Sequence, residues 1–442
     1  MISIDEKSII KTIENYLSEY RSIFNKRSFH IFILLVTAML STQEVRSIKF
    51  LYDNFIKKYW HKVLNSFYYF LSYTSFSIES LMFATVKIVI SLIPEEIKST
   101  ITIFLIIDDT LQAKFGDKFD CYGKLFDHTK HNGTSFLNGH CFVSLVISVP
   151  IFFCGKIKYL TLPVGYKLYD KSETKLEIAG KMIQNIMPLL LDCQVIVLCD
   201  SWYTKKPFLN MLKDYTNLSI IGAVRSDTSM YDLCPEPTGK KGRPRKKGLK
   251  LNIRDFDYTK EGDYYIATKK VLTNLFNEPV IATVTTTDVD KFSSVRVYVC
   301  SIEPSDIQAF KNYTVDECEA DKERPTLIPF FTYKFRWNIE VFFYQHKFFW
   351  SFGNYMVRNK KAIENYTNLL AIAYSFVVVL PFIHKSFSKY KFQSPQEIKN
   401  AISYQISKEL ILSTFVQKIQ KSKINKETLE AINSLIYLDK IS

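Results

Sequence analysis

Cysteine is scarce and unpaired in this chain. Its eight cysteines form no CxxC pair and keep no regular spacing, which excludes a disulfide framework and a paired-ligand zinc motif. Several, among them Cys141, Cys154 and Cys199, lie in apolar runs, as reduced and buried cytosolic thiols do. Cys121, His128, His131 and His140 cluster in sequence without such spacing, so zinc is a minor alternative. Long hydrophobic runs are also missing. The two most apolar, "HIFILLVTAML" and "LLAIAYSFVVVLPFI", have eleven and fifteen residues, short of the ~20 needed to cross a bilayer. Both are expected as buried core helices, and no membrane partner is expected. The opening "MISIDEKSII" has no signal-peptide core. Gly and Pro are absent before Pro94, and no internal repeat is present.

What the chain does have is core material and positive charge. With 47% hydrophobic and 15% aromatic residues, it is not a disordered chain. At 442 residues it exceeds one typical domain. Lys and Arg outnumber Asp and Glu by 58 to 44, a net charge of +14. That excess suits a polyanionic partner, nucleic acid first and a membrane surface second.

The texture changes along the chain. Residues 1–98 carry Leu, Ile and Phe at three- and four-residue intervals and read as a helical, DNA-binding domain. A capping box is expected at Ser41-x-x-Glu44. "ITIFLIIDDT", "HCFVSLVISVP" and "YLTLPVGYKLY" then read as strands, followed by a helix over 173–190, the strand "CQVIVLCDSWY", a helix and the strand "LSIIGAVRSD". Three strands in hairpin order, then alternating helices and strands, is the order of an RNase H-like mixed-sheet α/β core. Its first part is 99–227. Residues 228–327 read as a β-rich insertion with a basic loop, 328–392 as the second part of the core, and 393–442 as a helical tail with Ser394 as N-cap.

Three acids stand out. Asp108 and Asp200 each end a buried strand, and Glu340 lies in the apolar stretch "YKFRWNIEVFFYQHK". Tyr333, Arg336, Glu340 and Lys347 sit at offsets 0, 3, 7 and 14. On one continuous helix they would share a stripe about 60° wide. A buried ion-pair network would account for Arg336 and Glu340. A functional reading covers all four. Three convergent carboxylates can hold two Mg²⁺ ions for phosphodiester chemistry, while Tyr333, Arg336 and Lys347 meet the flanking phosphates.

Tyr-x2-Arg-x3-Glu-x6-Lys, matched at all four positions, resembles the signature of bacterial insertion-sequence transposases with an Asp-Asp-Glu triad. "IIDDT" and "VLCDSWY" resemble that group's first and second Asp strands. The resemblance covers residues 99–390. It implies an RNase H-like fold, Mg²⁺-dependent nicking of transposon ends (Mn²⁺ substituting), and transfer of the 3′-hydroxyl into target double-stranded DNA. It implies catalytic and metal-binding roles for Asp108, Asp200 and Glu340. Strand alternation lets only one of Asp108 and Asp109 serve, and the group's Asp-x-Thr pattern selects Asp108 before Thr110. Trp337 is a candidate for stacking on a flipped base. A DNA-bound homodimer associated with the nucleoid follows by analogy.

In the basic loop, Arg243 and Arg245 flank Pro244, a pattern suited to an A·T-rich minor groove. A solvated loop touching phosphates nonspecifically fits as well. Three rivals remain: a nuclease of this fold that cuts without joining, a non-catalytic or domesticated DNA-binding protein, and a membrane-associated protein.

Overall fold

A computed structural model describes residues 8–116, 118–127, 135–235, 245–312 and 324–421. The first segment is helical, as its periodicity requires: α1 (Ile9–Ser18), α2 (Lys26–Ser41), α3 (Ile48–Leu51), α4 (Lys57–Tyr59), α5 (Leu64–Tyr73) and α6 (Ile78–Ile90). Side chains of Ser8, Asn25, Ser47 and Ser77 cap four of them by accepting backbone N–H bonds. The capping box expected at Ser41 does not form. Ser41 is the last residue of α2, its hydroxyl donates to Thr37 O, and the next helix is capped at Ser47.

The strands follow in the expected order: β1 (Thr102–Ala113), a short β2 (Gly123–Phe126), β3 (Phe136–Phe153) and β4 (Lys156–Leu168). Then come α7 (Lys175–Ile186), β5 (Gln194–Cys199), α8 (Lys206–Leu212) and β6 (Leu218–Val224). β3 lies antiparallel to β1, and β4 antiparallel to β3. β1, β5 and β6 are parallel. Their near-continuous apolar runs reflect burial on both faces.

Residues 228–327 supply β7 (Met230–Tyr231), β8 (Lys250–Leu251), β9 (Thr259–Glu261), β10 (Tyr264–Thr273), β11 (Val280–Thr286), β12 (Arg296–Cys300) and α9 (Gln308–Asn312). These strands do not form a separate sheet. β12 pairs with β6, and β11, β10, β7 and β8 continue outward, giving one twelve-stranded mixed sheet among the described residues. A small second core, including Val271, Val284 and Val299, fills the outer part.

The remaining helices are α10 (Ile328–Lys334), α11 (Trp337–Phe349), α12 (Lys360–Ile383) and α13 (Pro395–Lys421). α13 starts at Pro395 as read from sequence, with the Ser394 hydroxyl on Gln396 Oε1. α12 is the one described helix long and apolar enough by itself to cross a membrane, yet 89% of its apolar stretch is buried inside the protein. It lies on β4 and touches α2, α5, α6 and α13. Its polar residues are bonded there: Asn368 exchanges two hydrogen bonds with the Tyr166 backbone, and Glu364 accepts from Leu168 N. One continuous core therefore runs from α1 to α13 through β4 and β1, and the first helices share it.

Candidate active site

β1 and β5 are adjacent and parallel, with Ile107 level with Cys199. The next residues are Asp108 and Asp200. Two carboxylates thus stand side by side at the carboxyl ends of neighbouring parallel strands, about 5 Å apart in backbone, where open α/β sheets bind ligands.

Asp108 and Asp109 part as strand alternation requires. Asp109 is held by Lys175 Nζ at 2.7 Å, by the Tyr203 hydroxyl donating at 3.1 Å and by the Cys141 thiol donating at 3.4 Å. Asp108, only 9% exposed, faces α11. Its Oδ2 accepts from Arg336 Nη2 at 2.5 Å, and its Oδ1 accepts from Asp109 N at 2.8 Å. Burial pushes the Asp108 carboxyl up to about 8; Arg336 opposes the rise, and the charges of Asp200 and Asp109 add to it.

The stretch carrying Arg336 is not one helix. The chain tightens between α10 and α11, where Phe335 N and Arg336 N bond three residues back to Thr332 O and Tyr333 O. The four signature residues are therefore divided. Tyr333, on α10, donates its hydroxyl to Cys199 O at 3.0 Å and packs on Tyr298 at 4.3 Å. Arg336 sits at the joint, and its Nη1 reaches Glu340 Oε1 at 3.4 Å. Glu340 and Lys347 lie on α11. Lys347 is exposed, with Glu340 and Asp127 as its electrostatic neighbours. Trp337 is 67% exposed.

Asp108, Arg336 and Glu340 thus form one ion-paired chain. Asp200 lies within the electrostatic reach of Asp108 and Arg336, and its Oδ1 accepts from Trp202 N at 2.9 Å and Tyr203 N at 3.2 Å. Among the described residues, no three His, Cys, Asp or Glu are grouped closely enough to hold a metal ion. Arg336 Nη2 and Nη1 occupy the direction from Asp108 to Glu340. The donor chemistry nonetheless fits a hard divalent cation: Asp108 and Asp200 end adjacent parallel strands, and Arg336 ties the Glu340 carboxylate to Asp108.

Beside Asp200 opens a cleft of about 800 Å³ between the end of β6, β12 and α10. Its lining includes Arg225, Arg296 and Lys334 as well as Arg336 and Trp337. Sequence reading missed Arg225 and Arg296, because β12 had no assigned neighbour and the sheet places it beside β6. Arg245 lies next to β8, near the far edge of the sheet. Arg243 falls outside the described residues, as do His128 and His131 of the zinc alternative.

The chain matches the family model of the DDE superfamily endonucleases over residues 33–261, more than half its length. It belongs to that family. No curated protein matches it. This DDE endonuclease is accordingly a transposase-like, metal-dependent nuclease with DNA as its substrate. Asp108 and Asp200 lie inside the matched stretch; Arg336 and Glu340 lie beyond it and are tied to it by the ion pairs. The match begins within α2, so the family resemblance reaches further toward the amino terminus than the 99–390 read from motifs.

Proposed function

We propose that this DDE endonuclease is an insertion-sequence transposase, cutting transposon ends and joining the free 3′-hydroxyl to target DNA. The observation that carries this reading is the level placement of Asp108 and Asp200 on adjacent parallel strands, with Arg336 linking Asp108 to Glu340. The strand order β4-β3-β1-β5-β6 supports an RNase H-like core, because three antiparallel strands lead into two parallel ones.

Asp108, Asp200 and Glu340 would hold the Mg²⁺ ions. Bound there, the ions would supply a lowered pKa for the attacking water or hydroxyl and charge neutralisation at the leaving oxygen. The remaining roles belong to the chain's own side chains. Arg336 keeps Asp108 and Glu340 in register. Lys347, Trp337 and the Arg225–Arg296 side of the cleft receive the DNA backbone. Residues 1–98 and the loop with Arg243 and Arg245 add DNA contacts, and two copies meet on DNA in the nucleoid.

A second reading, a DNA-binding protein without turnover, is favoured by Arg336 pairing with both Asp108 and Glu340. Cleavage separates the two. With a labelled duplex ending in the element's terminal repeat, Mg²⁺ should give a nick and then a joined product. Asp108→Asn, Asp200→Asn and Glu340→Gln should each abolish both products while duplex binding persists. Cleavage that survives one substitution removes that residue from the triad; no cleavage by the unsubstituted protein favours the binding reading.

A further inference from the structure

The Asp108–Asp109 doublet leaves one acid without a task. Asp109 points to the face of β1 opposite Asp108, and side chains from three other parts of the chain hold it there. Lys175, the first residue of α7, places its Nζ 2.7 Å from Asp109 Oδ2. The Tyr203 hydroxyl donates to Oδ1 at 3.1 Å, and the Cys141 thiol of β3 donates to Oδ2 at 3.4 Å. The Asp109 and Lys175 side chains are only 17% and 18% exposed, and Tyr203 is fully buried.

A buried ion pair adds little stability over an apolar pair of equal volume. What it fixes is direction, and at this point of the sheet direction matters. The β1–β5 ladder ends at Ile107 and Cys199, one residue before Asp108 and Asp200. Backbone pairing of these two strands therefore stops short of both carboxylates. Tyr203 makes the missing tie. Its backbone N–H donates to Asp200 Oδ1 at 3.2 Å, and its hydroxyl reaches across to Asp109. The turn between is closed by Trp202 N on Asp200 Oδ1 at 2.9 Å. Thr204 closes it further, with its N–H and its hydroxyl donating to Asp200 O at 3.1 and 2.8 Å. One residue thus holds the Asp200 carboxylate with its main chain and the end of β1 with its side chain. Lys175 and Cys141 anchor the same acid from the helix layer and from the neighbouring strand.

We propose that Asp109, Tyr203 and Lys175 are positioning residues that set the spacing of Asp108 and Asp200, and with it the affinity of the rim for a divalent cation. They touch neither the cation nor DNA and act through the two acids in front of them. The inference rests on the reading that Asp108 and Asp200 hold the metal.

The test is Tyr203→Phe in the full chain, which removes one hydroxyl from a buried ring. Its control is Tyr159→Phe, whose hydroxyl donates to Thr102 O at the opposite end of β1 at 3.0 Å. Mn²⁺ is titrated into each protein, and the free ion is read by electron paramagnetic resonance. Tyr203→Phe should weaken Mn²⁺ binding about tenfold, with Tyr159→Phe within about twofold of the unsubstituted protein. The Mg²⁺ concentration for half-maximal cleavage should rise by the same factor, with the saturated rate unchanged within about threefold. Should Tyr203→Phe lose its circular dichroism spectrum, Lys175→Gln carries the same expectation. Mn²⁺ affinity unchanged in Tyr203→Phe, or lowered equally in Tyr159→Phe, overturns the proposal and leaves the carboxylate reading intact. No Mn²⁺ binding by the unsubstituted protein overturns the carboxylate reading and the proposal with it.

Discussion

Asp108→Asn should stabilise the protein, and more so as pH rises. Burial pushes the Asp108 carboxyl up to about 8 from 3.8. In the unfolded chain it ionises near pH 4. Between those values the folded state holds a proton that the unfolded state has lost, so stability falls as pH rises through the window and levels off above 8. A displacement from 3.8 to about 8, at ~1.4 kcal/mol per unit, corresponds to ~5–6 kcal/mol between an ionised and a neutral group. Asparagine cannot ionise, but it places an amide N–H₂ where Arg336 now finds an oxygen. Subtracting ~2–3 kcal/mol for that lost hydrogen bond leaves a gain of ~3 kcal/mol at pH 8.5. Near pH 4.5 the ionisation penalty shrinks to ~1 kcal/mol while the lost hydrogen bond remains, so the gain should vanish or reverse there. Urea unfolding followed by tryptophan fluorescence, with chelator present, measures both. A variant no more stable than the unsubstituted protein at pH 8.5, or a gap equal at both pH values, would refute the reasoning.

Two further predictions concern other charges. Lys399 is buried against Trp350, with its Nζ 4.3 Å from the ring centre and donating to Gln43 O; burial lowers the ammonium from 10.5 to about 7, against the pull of Glu44. Its stability penalty is complete below pH 7 and fades as pH rises toward 10.5, so Lys399→Met should raise the thermal midpoint at pH 6.5 by several degrees and add nothing near pH 10. Lys347→Ala should weaken end-DNA binding and lower the slope of log affinity against log salt by about one, measured by anisotropy between 50 and 200 mM; an unchanged slope would remove Lys347 from the phosphate track.

The sequence disclosed those parts of the site that depend on local pattern. An apolar run closing in Asp108 can only be a buried strand reaching an edge, and "VIVLCD" repeats the signal for Asp200. Alternation was enough to separate Asp108 from Asp109. What it did not disclose depends on contacts between distant segments. The periodicity of 333–347 is compatible with one helix, and only packing against β1 and β12 tightens the chain at Phe335 and Arg336. The first helices read as a separate domain because nothing in residues 1–98 indicates that α12, more than 250 residues later, completes their core. Arg336 read as a DNA contact by type and spacing, yet its guanidinium is turned inward onto two carboxylates.

That inward turn follows from the sheet. Parallel pairing of β1 with β5 fixes Asp108 beside Asp200 whether or not any cation is present, and like charges so placed oppose ionisation of the buried member. A proton on Asp108 or a cation beside it offsets that repulsion. The chain supplies Arg336, through Nη1 and Nη2 alone; its Nε is buried without a partner. A guanidinium fixed as permanent structure would normally have that donor satisfied as well. Arg336 is therefore held by the acids rather than by the surrounding backbone, and the tightened turn that carries it lies between two helices rather than inside one.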